Sequence, residues 1–271
     1  MYIIENSSVE DIDVNLSNYI NIYLEYGLLA FPNLNIEEVN QLKIMQFFGK
    51  KLNWHFFSSV DSEDHSVSFA KIEKQFESDQ VFIRWHLEHI ERRNPQVCAS
   101  WKMNTFTCDP VAGSTGFIDA RIIYQRLPNE WKIFLDNVFV IDPENKDFER
   151  KCVQKHRNDK RNILKLSPYL YQNIIVKVGD NKPSTSEFNL FREINEWFSY
   201  QVLCVEKDKI WWNWSKGDLL LVDLSTMIHC VKGGFLQGER IFSRYWGYEK
   251  EEDFIMYTDI KFNERFGLKN G

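Results

Sequence analysis

Five consecutive residues, Arg84-Trp85-His86-Leu87-Glu88, carry the first recognisable chemistry in this chain. The pattern predicts a short strand, Val81 to Trp85, running into a His-x-Glu pair. Side chains two apart on a strand leave the same face, so His86 and Glu88 can reach one cation from a single rigid element. One imidazole and one carboxylate are two thirds of a 2-His-1-carboxylate set, which holds non-heme Fe(II) and leaves the remaining positions open. Such a pair also arises by chance, as a surface histidine beside a solvated glutamate, so its context must decide. A second histidine on a late strand would supply that context. His229 follows the apolar run Leu219 to Val222 and precedes Lys232-Gly233-Gly234. Its plain alternative is a core histidine bonded to backbone. Downstream, Arg240 and Arg244 share a face of a terminal strand, Arg240 to Tyr248, roughly 13 Å apart. Flanked by Phe242 and Trp246, they need anionic partners, because an unpaired buried charge is costly. Internal salt bridges would serve, and so would a bound dicarboxylate, which a guanidinium grips bidentately.

The elements that must position these residues alternate helix and strand early, then turn mainly to strand. Val14 to Tyr26 has helical apolar spacing and ends at Gly27, the residue type favoured at that position. Leu28 to Phe31 is a buried strand. Asn35 is expected to cap a second helix that Gly49 stops, with Glu37 and Glu38 in its first turn. Ser66 to Ala70 is a candidate strand, and Asp61 to Asp64 a loop. Val97 to Phe106 alternates, with Val97, Ala99, Trp101 and Met103 on one face and a wetter face of Cys98, Ser100, Lys102 and Asn104. Gly113 to Gly116 is a turn, and Asp119 to Arg126 and Glu130 to Leu135 are short helices. Cys152 to Leu166 is a charge-rich hairpin, expected to be solvated although a basic patch is possible. Glu187 to Val202 is the strongest amphipathic helix. Leu203 to Val205 and Ile210 to Trp214 have strand character, and Trp211, Trp212 and Trp214 are assigned to core packing. Ile90 to Gln96 and Val178 to Ser186 are candidate lids. His89 faces away from Glu88, and His55, His65 and His156 have no partner spacing and are expected at the surface or in loops.

Composition sets the outer limits. The 271 residues suit one large domain, and an aromatic content of 15% favours a large buried core over disorder. A net charge of −6 argues against a nucleic-acid-binding surface. Five cysteines without paired spacing, and an N-terminus without a basic, apolar leader, lead to the expectation of reduced thiols in a cytoplasmic protein. No apolar stretch is long enough to cross a bilayer. With no internal repeat and no linker, the expectation is a single domain over residues 1–271. It is mainly β with peripheral α-helices, a sandwich or jelly roll carrying N-terminal helices over 14–49.

Taken together, Trp85-His86-x-Glu88, Gly113-Ser114-Thr115, Gly217-Asp218-Leu219 through Asp223 to His229, and Glu239-Arg240 with Arg244 resemble the taurine dioxygenase and clavaminate synthase group. These are Fe(II)- and 2-oxoglutarate-dependent oxygenases. The resemblance implies a double-stranded β-helix (jelly-roll) core and a metal held by His86, Glu88 and His229. It implies Fe(II) as cofactor, with 2-oxoglutarate and O2 as cosubstrates and succinate and CO2 as co-products. Arg240 falls eleven residues after His229, the family spacing for the arginine that holds the distal carboxylate of 2-oxoglutarate. Thr115 matches the threonine that assists it. Arg244 matches an arginine that contacts the substrate's anionic group in taurine dioxygenase. Glu88 stands where taurine dioxygenase has Asp; clavaminate synthase and several amino-acid hydroxylases have Glu, which tilts the expected substrate toward a small polar metabolite such as an amino acid. The partner is then a small molecule, with no nucleic acid and no membrane. The alternatives are a non-catalytic jelly-roll binding module, and an oxygenase acting on a macromolecule through a basic groove near Arg92, Arg93 and Lys155 to Arg161.

Overall fold

A computed structural model describes residues 1–54, 56–60, 81–88, 96–141, 149–168, 175–235 and 239–248. The chain opens with β1 (Tyr2–Ile3), α1 (Val9–Val14), α2 (Leu16–Tyr26), β2 (Leu28–Phe31) and α3 (Glu38–Leu52). It continues through β3 (Phe56–Val60), β4 (Val81–His86), β5 (Cys98–Phe106), β6 (Thr115–Asp119), α4 (Ala120–Gln125) and α5 (Asn129–Leu135). Then come β7 (Val138–Ile141), β8 (Glu149–Lys151), β9 (Val153–Lys155), β10 (Asn162–Leu164), β11 (Ile175–Val178) and α6 (Thr185–Cys204). The last strands are β12 (Ile210–Trp212), β13 (Leu219–Asp223), β14 (Met227–Lys232) and β15 (Arg240–Tyr248).

Two facing sheets make the centre. One has the order β1-β2-β13-β5-β15-β3, the other β12-β6-β14-β4. Between them pack Ala99, Trp101, Met103, Leu220, Val222, Trp246 and Tyr248 from the first sheet and Phe117, Trp212 and Met227 from the second. The first sheet's outer face carries Leu29, Phe31, Leu219 and Leu221 against Tyr23, Ile44 and Phe48 of α2 and α3. This sorting explains the uninterrupted apolar run of β13, which is buried on both faces. Helix α6 lays Phe191, Ile194, Phe198 and Val202 over Trp85, Ile118 and Ile228 on the back of the second sheet. The protein is therefore mainly β with helices outside, as the pattern predicts. Among the described residues no helix is long and apolar enough to cross a membrane.

Several boundaries differ from expectation, each for a physical reason. The expected first helix starts later, as α2, and an unpredicted helix α1 precedes it; Asn15 lies between and caps both. Gly27 closes α2 at φ +68° as expected. Glu37, not Asn35, is the N-cap of α3; Asn35 sits at φ +49° and donates its side-chain amide to the Asn33 carbonyl. Gly49 does not stop α3. Leu52 still has core to bury, and Asn53 at φ +63° takes the left-handed cap instead. The expected wet face of β5 is covered by α3, where Gln41 Nε2 donates to the carbonyls of Ser100 and Ser243 and to Ser100 Oγ. Leu203 belongs to α6, whose Ser184–Glu187 capping box explains its start. Thr115 and Gly116 lie in β6 and not in the preceding turn. Residues 178–186 form a strand end, a turn and that helix cap. Ser66 to Ala70, Asp61 to Asp64 and nearly all of Ile90 to Gln96 lie outside the described residues.

The hairpin of β9 and β10 forms as expected, but it is not a solvated arm. His156 is buried, with Nε2 3.0 Å from Asp223 and Nδ1 3.0 Å from Asp159. Lys165 is buried too, and its ammonium donates to the Ser225 carbonyl. The reading of His156 as a surface residue is thus overturned. Its partner Asp223 is the last residue of β13, and no local spacing reveals that pairing.

Candidate metal centre

Strand β4 ends at His86, one residue later than expected, and Glu88 follows in a turn. The alternation nonetheless persists. Trp85 and Leu87 turn to the core behind the second sheet, leaving His86 and Glu88 to the other side. Strand β14 sets His229 directly across from His86, and β6 sets Phe117 on its other flank. The His86 and His229 rings lie 4.2 Å apart between centroids. Glu88 Oε2 is 3.7 Å from His86 Nε2 and 3.4 Å from His229 Nε2. One ligand atom from each residue falls within 4.8 Å of the others.

The outer nitrogens explain why these atoms converge. His86 Nδ1 is 2.7 Å from the Arg84 carbonyl, and His229 Nδ1 is 3.2 Å from the Met227 carbonyl. A carbonyl can only accept, so each Nδ1 carries the proton and each Nε2 presents a lone pair. In both cases the acceptor is the residue two positions upstream on the same strand. His229 is held toward its neutral form, first by burial and then by His86, against the pull of Glu88. Two neutral imidazoles and one carboxylate with Nε2 and oxygen converging fit a divalent transition-metal ion.

A second feature lies beside this set. Arg240 donates through Nε to the Gly113 carbonyl (2.8 Å) and through Nη2 to Thr115 Oγ1 (3.1 Å). Phe242 and Phe235 flank its guanidinium at 4.2 and 5.5 Å from their ring centroids. Among the described residues no carboxylate meets it. Burial and the neighbouring charge of Arg244 lower its pKa to about 9. Thr115 Oγ1 also accepts from Trp214 Nε1 at 2.9 Å. With both lone pairs engaged by N–H donors, its own O–H is left to donate. A cation without an anion and a hydroxyl with a proton to give together suit a carboxylate.

The structure thus brings together His86, Glu88 and His229, and separately Thr115 with Arg240. Arg244 shares the inward face of β15 with Arg240, and its guanidinium carbon lies 5.6 Å from the Trp246 ring centroid. Two contributors were not singled out from the sequence. Trp214, read there as core, holds the Thr115 hydroxyl. Gly113, at φ +67°, lets Arg240 approach so closely that a Cβ would stand 2.7 Å from its Cδ. The Gly-Ser-Thr run carries a hint of the second; nothing local marks the first. His55, His65 and His89 lie outside the described residues.

The comparisons accord with this geometry. The family model "Taurine catabolism dioxygenase TauD, TfdA family" matches residues 7–246. No curated protein sequence matches the chain. A crystal structure of AAD-2 in complex with Mn(II) and N-oxalylglycine superposes with a TM-score of 0.63 at 15% identity, covering 92% of this chain and 94% of that one. A taurine dioxygenase from Burkholderia xenovorans superposes with a TM-score of 0.57 at 13% identity, covering 87% and 80%. At these identities the superpositions speak for the fold, and the family match over nearly the whole chain for the chemistry. The chain belongs to the TauD/TfdA dioxygenase family, oxidoreductases that depend on Fe(II), 2-oxoglutarate and O2.

Proposed function

We propose that this enzyme hydroxylates a small polar metabolite, an amino acid or a derivative of one, with His86, Glu88 and His229 holding the iron. Arg240 and Thr115 grip the distal carboxylate of 2-oxoglutarate, and Arg244 meets an anionic group of the substrate. The observation that carries the reading is Arg240, a partly buried cation bonded only to neutral oxygens among the described residues, in a protein that also clusters two histidines and a glutamate. Bound iron supplies O2 activation coupled to decarboxylation of 2-oxoglutarate to succinate and CO2. The chain's own work is orientation. The carbonyls of Arg84 and Met227 fix the imidazoles, Thr115 and Arg240 fix the cosubstrate, and the aromatic walls of Trp101, Phe117 and Phe242 keep water from the reacting end. We read the two facing sheets as a double-stranded β-helix, the whole chain as one domain, and the five free thiols as those of a cytoplasmic protein. Glu88 in place of Asp supports the amino-acid class.

The macromolecular alternative rested partly on a basic run at the hairpin. Within it His156, Asp159 and Arg161 are committed to internal ion pairs, which leaves less of the run to meet a polyanion. The test is anaerobic titration of the apoprotein with Fe(II) and 2-oxoglutarate. A visible charge-transfer band that His229→Ala abolishes and Arg240→Ala weakens is expected. Folded, metal-loaded protein without a band overturns the reading. Succinate release across a panel of amino acids then tests the substrate class, and release only with non-amino-acid acids would sink that part.

A further inference from the structure

Trp101 lies on the inward face of β5, where its neighbours across the sheet are Leu220 of β13 and Arg244 of β15. Its ring spans the gap to the second sheet. The centroid lies 5.3 Å from the His229 imidazole and 5.8 Å from Phe117, on which it stacks. The side chain is buried, and its Nε1–H meets no acceptor among the described residues. An indole N–H can only donate, and leaving one unmade in a buried site is costly. Trp214, an indole of the same cluster, behaves differently and spends its N–H on Thr115.

The position of Trp101 narrows what could accept from it. On one side is a metal ligand, His229. On the other, β15 presents Arg240, Phe242 and Arg244, with Phe242 paired to Met103 two residues along β5. A dicarboxylate reaching from the histidine pair to Arg240 passes this wall. A carboxylate oxygen is also the stronger acceptor, because hydrogen bonds to charged groups exceed those between neutral ones.

We propose that Trp101 is a further cosubstrate-binding residue whose indole N–H donates to a carboxylate oxygen of 2-oxoglutarate, while its ring face steadies the His229 imidazole. This rests on the iron and 2-oxoglutarate reading above, and the test separates the two. The full chain, labelled with ¹⁵N in its indoles, is loaded with Zn(II), a diamagnetic occupant of the same ligands, and titrated with 2-oxoglutarate. The Trp101 indole resonance, assigned by its loss in Trp101→Phe, should move downfield on adding 2-oxoglutarate and not on adding Zn(II) alone. Calorimetry on Trp101→Phe, which keeps an aromatic ring, should show 2-oxoglutarate binding weakened about tenfold or more with Zn(II) affinity unchanged. Wild-type protein that binds 2-oxoglutarate without moving the Trp101 resonance overturns this proposal and leaves the cosubstrate reading standing. Metal-loaded wild type that binds no 2-oxoglutarate overturns both.

Discussion

Two arginines in this protein, one fully buried and one partly buried, are treated in opposite ways. Arg121, at the start of α4, is fully buried and saturated. It donates to both Asp119 oxygens, to Asp159 Oδ2 and to the carbonyls of Leu24 and Glu25. Burial alone would lower its pKa, yet Asp119, Asp223 and Asp159 together raise it. Arg240 is bonded only to a carbonyl and a hydroxyl among the described residues, and its pKa falls to about 9. The first network ties helix α2, the β9–β10 hairpin and the turn before β14 into one piece. The second, among the described residues, leaves positive charge uncompensated. A saturated cation stabilises the fold; an unsaturated one stands ready for an anion from outside, and the difference lies in the acceptors each finds.

That contrast can be broken by substitution. The largest effect is expected from Arg121→Met, which takes the guanidinium from Asp119 and leaves Asp159 only Arg161 and His156. Unfolding by urea should show a loss of about 3–5 kcal/mol, as for a broken buried ion pair, with 2-oxoglutarate affinity unchanged in the fraction that folds. A loss under about 1 kcal/mol would show that the network is not structural in this sense. Arg240→Met should do the reverse. Stability should shift by less than about 1 kcal/mol, while 2-oxoglutarate binding by calorimetry weakens on the order of a hundredfold. Equal losses of stability in the two variants would erase the distinction.

Smaller changes sharpen it. Gly113→Ala places a Cβ 2.7 Å from Arg240 Cδ at a positive φ, so the guanidinium must shift; roughly tenfold weaker 2-oxoglutarate binding is expected. His156 supplies a pH test of the saturated network. Burial lowers its pKa, but Asp223 and then Asp159 raise it further, against Arg121, and the net direction is up. A raised histidine contributes fully below its unfolded value of about 6.5 and loses that contribution as pH rises through the folded value. The stability gap between wild type and His156→Gln, roughly 1–3 kcal/mol at pH 6, should therefore close at alkaline pH. A gap that widens with pH would reverse the assignment. The smallest effect is expected from Thr115→Val, a few-fold weakening of 2-oxoglutarate binding from the loss of one hydroxyl.

Much of the site was legible because it follows local rules. Alternation along a strand pairs His86 with Glu88 and Arg240 with Arg244, and the terminal strand runs from Arg240 to Tyr248 as read. Helix ends were less legible, since Gly49 and Asn35 look like a stop and a cap until the burial of Leu52 and the conformations of Asn35 and Asn53 decide otherwise. Sequence by itself determined which residue types were available and which of them share a face, because the periods of helix and strand are properties of the backbone. Only the tertiary structure decided which faces meet. It set His229 opposite His86, buried His156 between two aspartates, gave Arg121 its carboxylates and, among the described residues, brought none to Arg240. Those outcomes depend on contacts between residues far apart in the chain, where burial makes a satisfied charge stable and leaves an unsatisfied one free to bind.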